Sequence, residues 1–268
     1  MEEEVGGGGV LGLLPALENY AEPGTDAFPA FLRFLVHCGR NDGGLQMFTV
    51  SDGWKEAYPG AHAGVLVMRN VANPDRHPEL DRLKGELEDD LRSLFKDMAE
   101  LKALGPIKAY QAYYKRFKKT YHVVLQLESV LFKGKPIPRV AALVEAMFMA
   151  ELRNMLLTAG HDLDLARTPL KLDIAQGTEQ YTRINGQEQI LKPRDMMITD
   201  REGVISSVIY GPDRRTMINP ATRNALFTCY AVPGVTRQAV EQHLQGIESY
   251  VRVFSPDASV ELTTVFSA

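Results

Sequence analysis

The sequence predicts an α+β fold, a mixed or antiparallel sheet packed on a central buried helix and on flanking helices. Three patterns predict it. Over residues 138–158, Val140, Leu143, Val144, Met147, Phe148, Met149, Leu152, Met155, Leu156 and Leu157 cover nearly every side of a helix, which marks a helix enclosed by other elements rather than one lying on a surface. From Asp164 onward the helical spacing gives way to short runs punctuated by turns, with Asn185-Gly186 between two of them as a strong hairpin signal. Upstream, Leu80, Leu83, Leu87, Leu91, Leu94, Phe95, Met98 and Leu101 recur at helical spacing with charges between them, the pattern of an amphipathic helix laid on a core.

In chain order, residues 1–45 read as an N-terminal extension of limited order, given the glycine run at 6–9 and the turn Glu22-Pro23-Gly24-Thr25. A short packed helix over 31–38 is the alternative for part of it. Residues 46–268 then read as one domain. Its expected elements begin with a strand at 47–50, a turn or short helix at 52–57, and a strand at 63–71 ended by Asn73-Pro74. The amphipathic helix spans 78–104, Gly105-Pro106 breaks it, and a second helix follows over 107–117. After the central helix come strands at 170–174, 179–184, 188–191, 195–199, 204–210 and 225–232. Lys192-Pro193-Arg194-Asp195 and Asp200-Arg201-Glu202-Gly203 are turns between them. A helix and a strand close the domain.

Composition narrows the function classes. Charged and apolar fractions of 24% and 45% are those of an ordinary soluble domain. A net charge of -4 offers phosphate no global attraction, so nucleic-acid binding requires a local basic patch. Cys38 and Cys229 have no metal-ligand spacing and suit a reducing compartment. Met1-Glu2-Glu3-Glu4 has the wrong charge for a secretory signal, and the apolar stretch at 32–36 is too short to span a bilayer. The expectation is a cytoplasmic protein with no membrane partner. No Gly-x-Ser-x-Gly elbow, Gly-x-x-x-x-Gly-Lys loop or His-Glu-x-x-His helix is present, so serine hydrolase, nucleotide hydrolase and zinc protease readings have no support. Neither cofactor nor metal is expected.

The polar residues of the central stretch are the first candidates. Glu145, Glu151, Arg153 and Asn154 sit in apolar surroundings, where an unpartnered charge or amide costs on the order of several kcal/mol. They pair with other segments or they line a pocket, and His161 carries the same two readings. A second candidate is the end of the helix at 107–117, where Lys115, Arg116, Lys118 and Lys119 interleave with Tyr110, Tyr113, Tyr114, Phe117 and Tyr121. Cations there can neutralise phosphates while aromatic rings stack unpaired bases. The alternative is a helix end whose cations suit the dipole and whose tyrosines pack on the core. A third is the loop Tyr210-Gly211-Pro212-Asp213-Arg214-Arg215-Thr216, whose arginines can fork onto a carboxylate or phosphate or simply form a surface ion pair.

The order of pieces carries a resemblance. A buried helix is followed by Asp162-Leu163-Asp164, a strand, the Asn185-Gly186 hairpin, Met196-Met197-Ile198-Thr199-Asp200, Gly203-Val204-Ile205 and Tyr210-Gly211. Asn219-Pro220-Ala221-Thr222-Arg223-Asn224-Ala225-Leu226 then closes the series. Upstream stands Tyr58-Pro59-Gly60-Ala61-His62-Ala63-Gly64-Val65-Leu66-Val67. Over roughly residues 47–235 the chain resembles the tRNA-binding and editing domain, the paired B3/B4 domain, of the phenylalanyl-tRNA synthetase beta subunit, in a free-standing form.

The resemblance implies the synthetase-editing-domain-like version of the predicted fold, an acceptor-end or aminoacyl-tRNA partner, and hydrolysis of a wrongly attached amino acid in trans. The family's site residues are replaced: a histidine position falls on Ala159, a glutamate position on Arg214 and an asparagine position on Phe148. His161, Glu151 and Asp213 are therefore the expected catalytic groups. Glu145, Asn154, Asp162, Tyr210, Arg214 and Arg215 are the expected substrate contacts. Lys115, Arg116, Lys118 and Lys119 are the expected RNA contacts. A non-catalytic module binding RNA or an amino-acid-like small molecule is the alternative.

Overall fold

A computed structural model describes residues 47–268; the expected N-terminal extension and Cys38 lie outside the described residues. The chain opens with β1 (Phe48–Val50), α1 (Asp52–Ala57) and β2 (His62–Arg69). Ser51 caps α1 by accepting from the Trp54 N–H, which resolves the turn-or-helix alternative in favour of a helix. Four helices follow: α2 (Pro78–Leu94), α3 (Met98–Ala103), α4 (Gly105–Arg116) and α5 (His122–Leu131). The single helix expected over 78–104 is thus two. The chain leaves helical geometry at Phe95, and Asp97 starts α3 by accepting from the N–H groups of Ala99 and Glu100, a local side-chain cap that competes with helix continuation. Helix α5 falls in a stretch, 118–137, to which the sequence pattern assigns no element.

The central helix, α6 (Ala142–Asn154), is shorter than the predicted 138–158. Its C-cap, Met155, adopts a left-handed φ of 60° with its N–H bonded to the Glu151 carbonyl. Thr158 already belongs to the next strand. At the other end Val140 stands outside the helix and is 49% exposed. Within its true bounds the helix is buried on almost all sides, with Leu143, Ala146, Met149 and Ala150 at or near zero exposure.

The remaining elements are β3 (Thr158–Asp162), β4 (Leu170–Ile174), β5 (Gln180–Thr182), β6 (Glu188–Ile190), β7 (Met196–Asp200), β8 (Gly203–Ser207), β9 (Gly211–Pro212), β10 (Asn224–Ala231), α7 (Arg237–Phe254) and β11 (Ser259–Ser267). One antiparallel sheet has the order β11-β2-β10-β3; a second has the order β1-β4-β7-β8-β9, parallel only between β1 and β4. The hairpin β5-β6 turns at Asn185-Gly186, where Gly186 has a φ of 83°, as its sequence predicts. A bridge between His161 and Met217 ties β3 to the segment beyond β9. The fold is the expected α+β arrangement, mixed and antiparallel sheets packed with helices around a buried one.

Helix α7 lies across β2 at Gly64, where a Cβ would fall 2.5 Å from Val240 Cγ1 and 3.2 Å from Leu244 Cδ1. The missing side chain lets helix and strand approach. On its other side α7 meets α6, where the Asn154 amide nitrogen lies 3.2 Å from His243 Nδ1.

Candidate functional site

Where α6 faces β3 and the 207–218 segment, the packing leaves a cavity of about 420 Å³. Helix α6 contributes Val144, Met147, Phe148 and Glu151; β3 contributes Thr158, Ala159 and Gly160; Ser207, Val208, Met217 and Ile218 lie opposite. Gly160 keeps the space open, because a Cβ there would lie 2.8 Å from Ile218 Cδ1 and 3.1 Å from Met147 Sδ. Val140 and Ile184, 49% and 51% exposed, also line it and give it an apolar mouth. Most of the wall is hydrocarbon, so the space suits an apolar group carried by a ligand whose polar part meets the few polar side chains.

Glu151 is the first of those. Its side chain is buried, one carboxyl oxygen accepts the Thr158 N–H at 2.7 Å, and burial pushes its pKa up to about 8 against that hydrogen bond. At neutral pH the carboxyl is protonated and can donate a hydrogen bond, as a ligand carbonyl would require. The sign for stability follows. A carboxyl whose folded pKa lies above its unfolded value binds its proton more tightly when folded, so the protein loses stability as pH rises from about 4.5 to about 8. Glu151→Gln, which keeps the acceptor for Thr158, should remove that loss and be more stable than wild type by on the order of 3 kcal/mol at pH 7. Denaturant unfolding of both proteins between pH 5 and 8 measures it; parallel profiles would refute the assignment.

His122, at the start of α5, is one polar wall residue that sequence reasoning missed, with Thr158, Ser207 and Tyr230 as others. It lines this cavity and also an adjoining groove of about 380 Å³ between α5 and α6, which shares Phe148 and runs past Leu125, Ser129 and Lys135. Its Nδ1 lies 3.2 Å from the Tyr114 hydroxyl, which donates to the Val208 carbonyl at 2.7 Å. A phenol has one proton, and a carbonyl can only accept. Nδ1 must therefore carry the imidazole hydrogen, leaving Nε2 with a free lone pair. Burial lowers the His122 pKa, so the neutral form prevails at physiological pH. The sequence offered no local signal, since the histidine meets its tyrosine only through the packing of α4 on α5.

His161 does not line the cavity. It is fully buried, with Nδ1 2.8 Å from Thr216 Oγ1 and Nε2 3.2 Å from Ser206 Oγ. Thr216 donates to Asp213, and Ser206 Oγ lies 2.5 Å from the Tyr230 hydroxyl. With Asp213 ionised the donors take one order: Tyr230 to Ser206, Ser206 to His161 Nε2, His161 Nδ1 to Thr216, Thr216 to Asp213. Burial holds the His161 pKa down to about 3, Asp200 and Arg215 acting against each other as lesser causes. Tyr230 lines the cavity. Two of the expected catalytic residues, His161 and Asp213, thus reach the cavity only through this chain of hydroxyls.

The other expected contacts have structural partners. Glu145 points away toward α2, where Lys84 Nζ meets it at 2.5 Å, and it accepts the Val140 N–H at 2.9 Å. Asn154 faces His243 beneath α7. Asp162 organises the turn ahead of β10, accepting from Asn219 at 3.2 Å and Thr222 at 2.7 Å. Arg215 forks onto Asp200 at 2.9 Å and lies 3.4 Å from Glu202 and 3.8 Å from Asp213. Arg214 is exposed and reaches over Gly186 of the hairpin. Tyr210 is half-buried, with Lys119 Nζ 5.9 Å from its ring centre. None of these six lines the cavity, because each lies on a face turned to another element or to solvent. Of the residues expected there, Glu151 alone does.

At the end of α4, Lys115, Arg116, Lys118 and Lys119 are exposed. The interleaved aromatics are not: Tyr110, Tyr113, Tyr114, Phe117 and Tyr121 are buried. Their hydroxyls bond inward, Tyr110 to the Tyr230 carbonyl, Tyr113 to Asp195 and Tyr121 to the Met155 carbonyl. They pack on the core, and base stacking by these rings is ruled out by their burial. Among the described residues no group of three or more His, Cys, Asp or Glu side chains could hold a metal ion, and no helix is long and apolar enough to cross a membrane.

An α+β core with an apolar cavity beside its central helix defines the class of protein. Residues 108–253, more than half of the chain, match the B3/4 domain family, from α4 through all but the last residue of α7. The chain belongs to that family, which bears out the resemblance read from its motifs. Among solved structures, an N-terminal fragment of the phenylalanyl-tRNA synthetase beta-subunit from Pyrococcus horikoshii is similar at 10% identity and a TM-score of 0.44, over 83% of this chain. The present chain spans 54% of that fragment. No curated protein matches.

Proposed function

We propose that this B3/4 protein binds the acceptor end of a mischarged tRNA in the cytoplasm and hydrolyses its aminoacyl ester in trans. The carrying observation is the cavity of about 420 Å³ whose polar lining includes a protonated Glu151 and a neutral His122 with Nε2 free. An apolar amino-acid side chain fits the hydrocarbon wall. Glu151 donates to the ester carbonyl, and His122 Nε2 takes a proton from the attacking water and returns it to the ribose oxygen as the ester C–O bond breaks, a division of labour in which acid and base are held apart by different environments. An activated ester needs little beyond such positioning. Lys115, Arg116, Lys118 and Lys119, all exposed, contact the RNA backbone in this reading.

The experiment is incubation with a panel of tRNAs mischarged with small, polar and apolar amino acids, with release of each followed over time. Enzyme-dependent release of one apolar subset supports the reading. Retention of every amino acid, with tRNA bound, overturns it in favour of a non-catalytic binding module. One observation favours that second reading: His161 and Asp213 are sealed within their hydroxyl chain.

A further inference from the structure

We infer that the groove between the end of α4 and the turn leading into β7 is a binding site for a phosphate group. The groove, about 390 Å³, is lined by Arg116, Phe117 and Lys118 on one side and by Lys192, Pro193 and Arg194 on the other, with Tyr58 between. Four cations from two distant segments converge there. Among the described residues no carboxylate lies within the 4.0 Å of an ion pair from any of them. Elsewhere this chain of net charge -4 pairs its arginines with nearby acids, as on α2 and α7. Unpaired, like-charged side chains sharing a concave surface repel one another, and an anion relieves the repulsion.

Backbone conformation supplies independent support. Lys118 and Arg194 have φ of 57° and 69°, two of the four non-glycine residues with positive φ among the described ones. Lys118 follows the C-cap of α4, with the Lys119 N–H bonded to the Tyr114 carbonyl at 3.1 Å. Arg194 sits third in a turn closed by the Asp195 N–H on the Lys192 carbonyl at 3.1 Å. Glycine is the favoured occupant of both positions. Each is instead a cationic residue that lines the same groove, at the expense of local backbone preference.

The other two cations are held in place. The Arg116 guanidinium lies 4.6 Å from the Tyr113 ring centre and 5.1 Å from that of Tyr58, a stacked arrangement that leaves its edge free to fork onto oxygens. Lys192 Nζ donates to the Phe117 carbonyl at 2.7 Å and retains two hydrogens. The Tyr58 hydroxyl donates to the Arg194 carbonyl, fixing the turn. A tetrahedral dianion matches several donors in this arrangement better than a planar carboxylate does, and the Tyr58, Phe117 and Pro193 surfaces suit the organic part of a phosphate ester. The groove shares no lining residue with the cavity, so the site stands independently of the ester chemistry, while Arg116 and Lys118 are also RNA contacts of the proposed function.

Calorimetric titration of the full chain with inorganic phosphate, with adenosine monophosphate and with a short single-stranded RNA tests it. Binding of all three identifies a site for a lone phosphate group. Binding of the RNA alone identifies a site for phosphodiesters of a polymer, with an affinity that falls as salt rises. The double variant Lys118→Gly/Arg194→Gly separates recognition from folding: it should unfold at the same or a higher temperature while binding on the order of tenfold or more weakly. No heat from any of the three ligands, or unchanged affinity in the glycine variant, would overturn the proposal.

Discussion

Replacing Lys84 by methionine is expected to destabilise the protein by about 3–5 kcal/mol, the cost of breaking a buried ion pair from one side. Lys84 on α2 and Glu145 on α6 are 5% and 6% exposed, and their Nζ and Oε2 atoms are 2.5 Å apart. Without the ammonium, Glu145 keeps, among the described residues, only the Val140 N–H as a hydrogen-bond donor, while Asp81 loses a partner at 3.2 Å. The cost arises from the carboxylate left behind more than from the missing attraction. Exchanging Glu145 for methionine in the same protein should therefore recover most of the loss, since an apolar pair of similar volume is often as stable as the ions it replaces. Arg82 offers the contrast: its contacts with Glu79 and Glu86 are on the exposed face of the same helix, and removing it should change stability far less. Denaturant unfolding of the four proteins decides the matter. A cost for Lys84→Met as small as that for Arg82→Ala would show that the pair is not isolated from water.

His122→Asn is expected to lower kcat/KM for ester hydrolysis by roughly 10²–10⁴-fold, the usual contribution of a positioned general base. Asparagine can place its amide near the Nδ1 position and keep a donor for the Tyr114 hydroxyl, while nothing occupies the position of Nε2. Folding should be nearly unaffected, which separates a chemical role from a packing one. A pH profile gives a second readout. Because burial lowers the His122 pKa, the acid limb of wild-type activity should lie below the ordinary histidine value of about 6.5, beside an alkaline limb at about 8 where Glu151 ionises, and the acid limb alone should be absent from the residual activity of the variant. Unchanged kcat/KM with an unchanged acid limb would remove His122 from the reaction.

The fold was legible because its main signals are local. Alternation, helical spacing and the Asn185-Gly186 turn are properties of neighbouring residues, and β4 occupies its predicted bounds without a shift. The misplaced boundaries share a cause. Met155 ends α6 in a left-handed conformation that its side chain does not advertise, and Asp97 splits the expected 78–104 helix by capping its own successor. The cavity lies where the central helix faces the loop beyond β8, and most of the polar residues expected at a site do not wall it. Glu145, Asn154 and Asp162 are as polar in sequence as Glu151, and only the packing of distant segments supplies their partners.

The sequence by itself determined the class of fold and the family, since the order of helix, hairpin and turn motifs survives as a linear pattern. Tertiary structure decided which polar groups meet an open space and which are spent on one another. Lys84 lies 61 residues from Glu145, and His161 lies 55 residues from Thr216. A buried polar group must find a partner wherever the chain brings one, so its role depends on that long-range encounter. Periodicity cannot encode it, because periodicity says which face of an element is turned inward and nothing about what waits there.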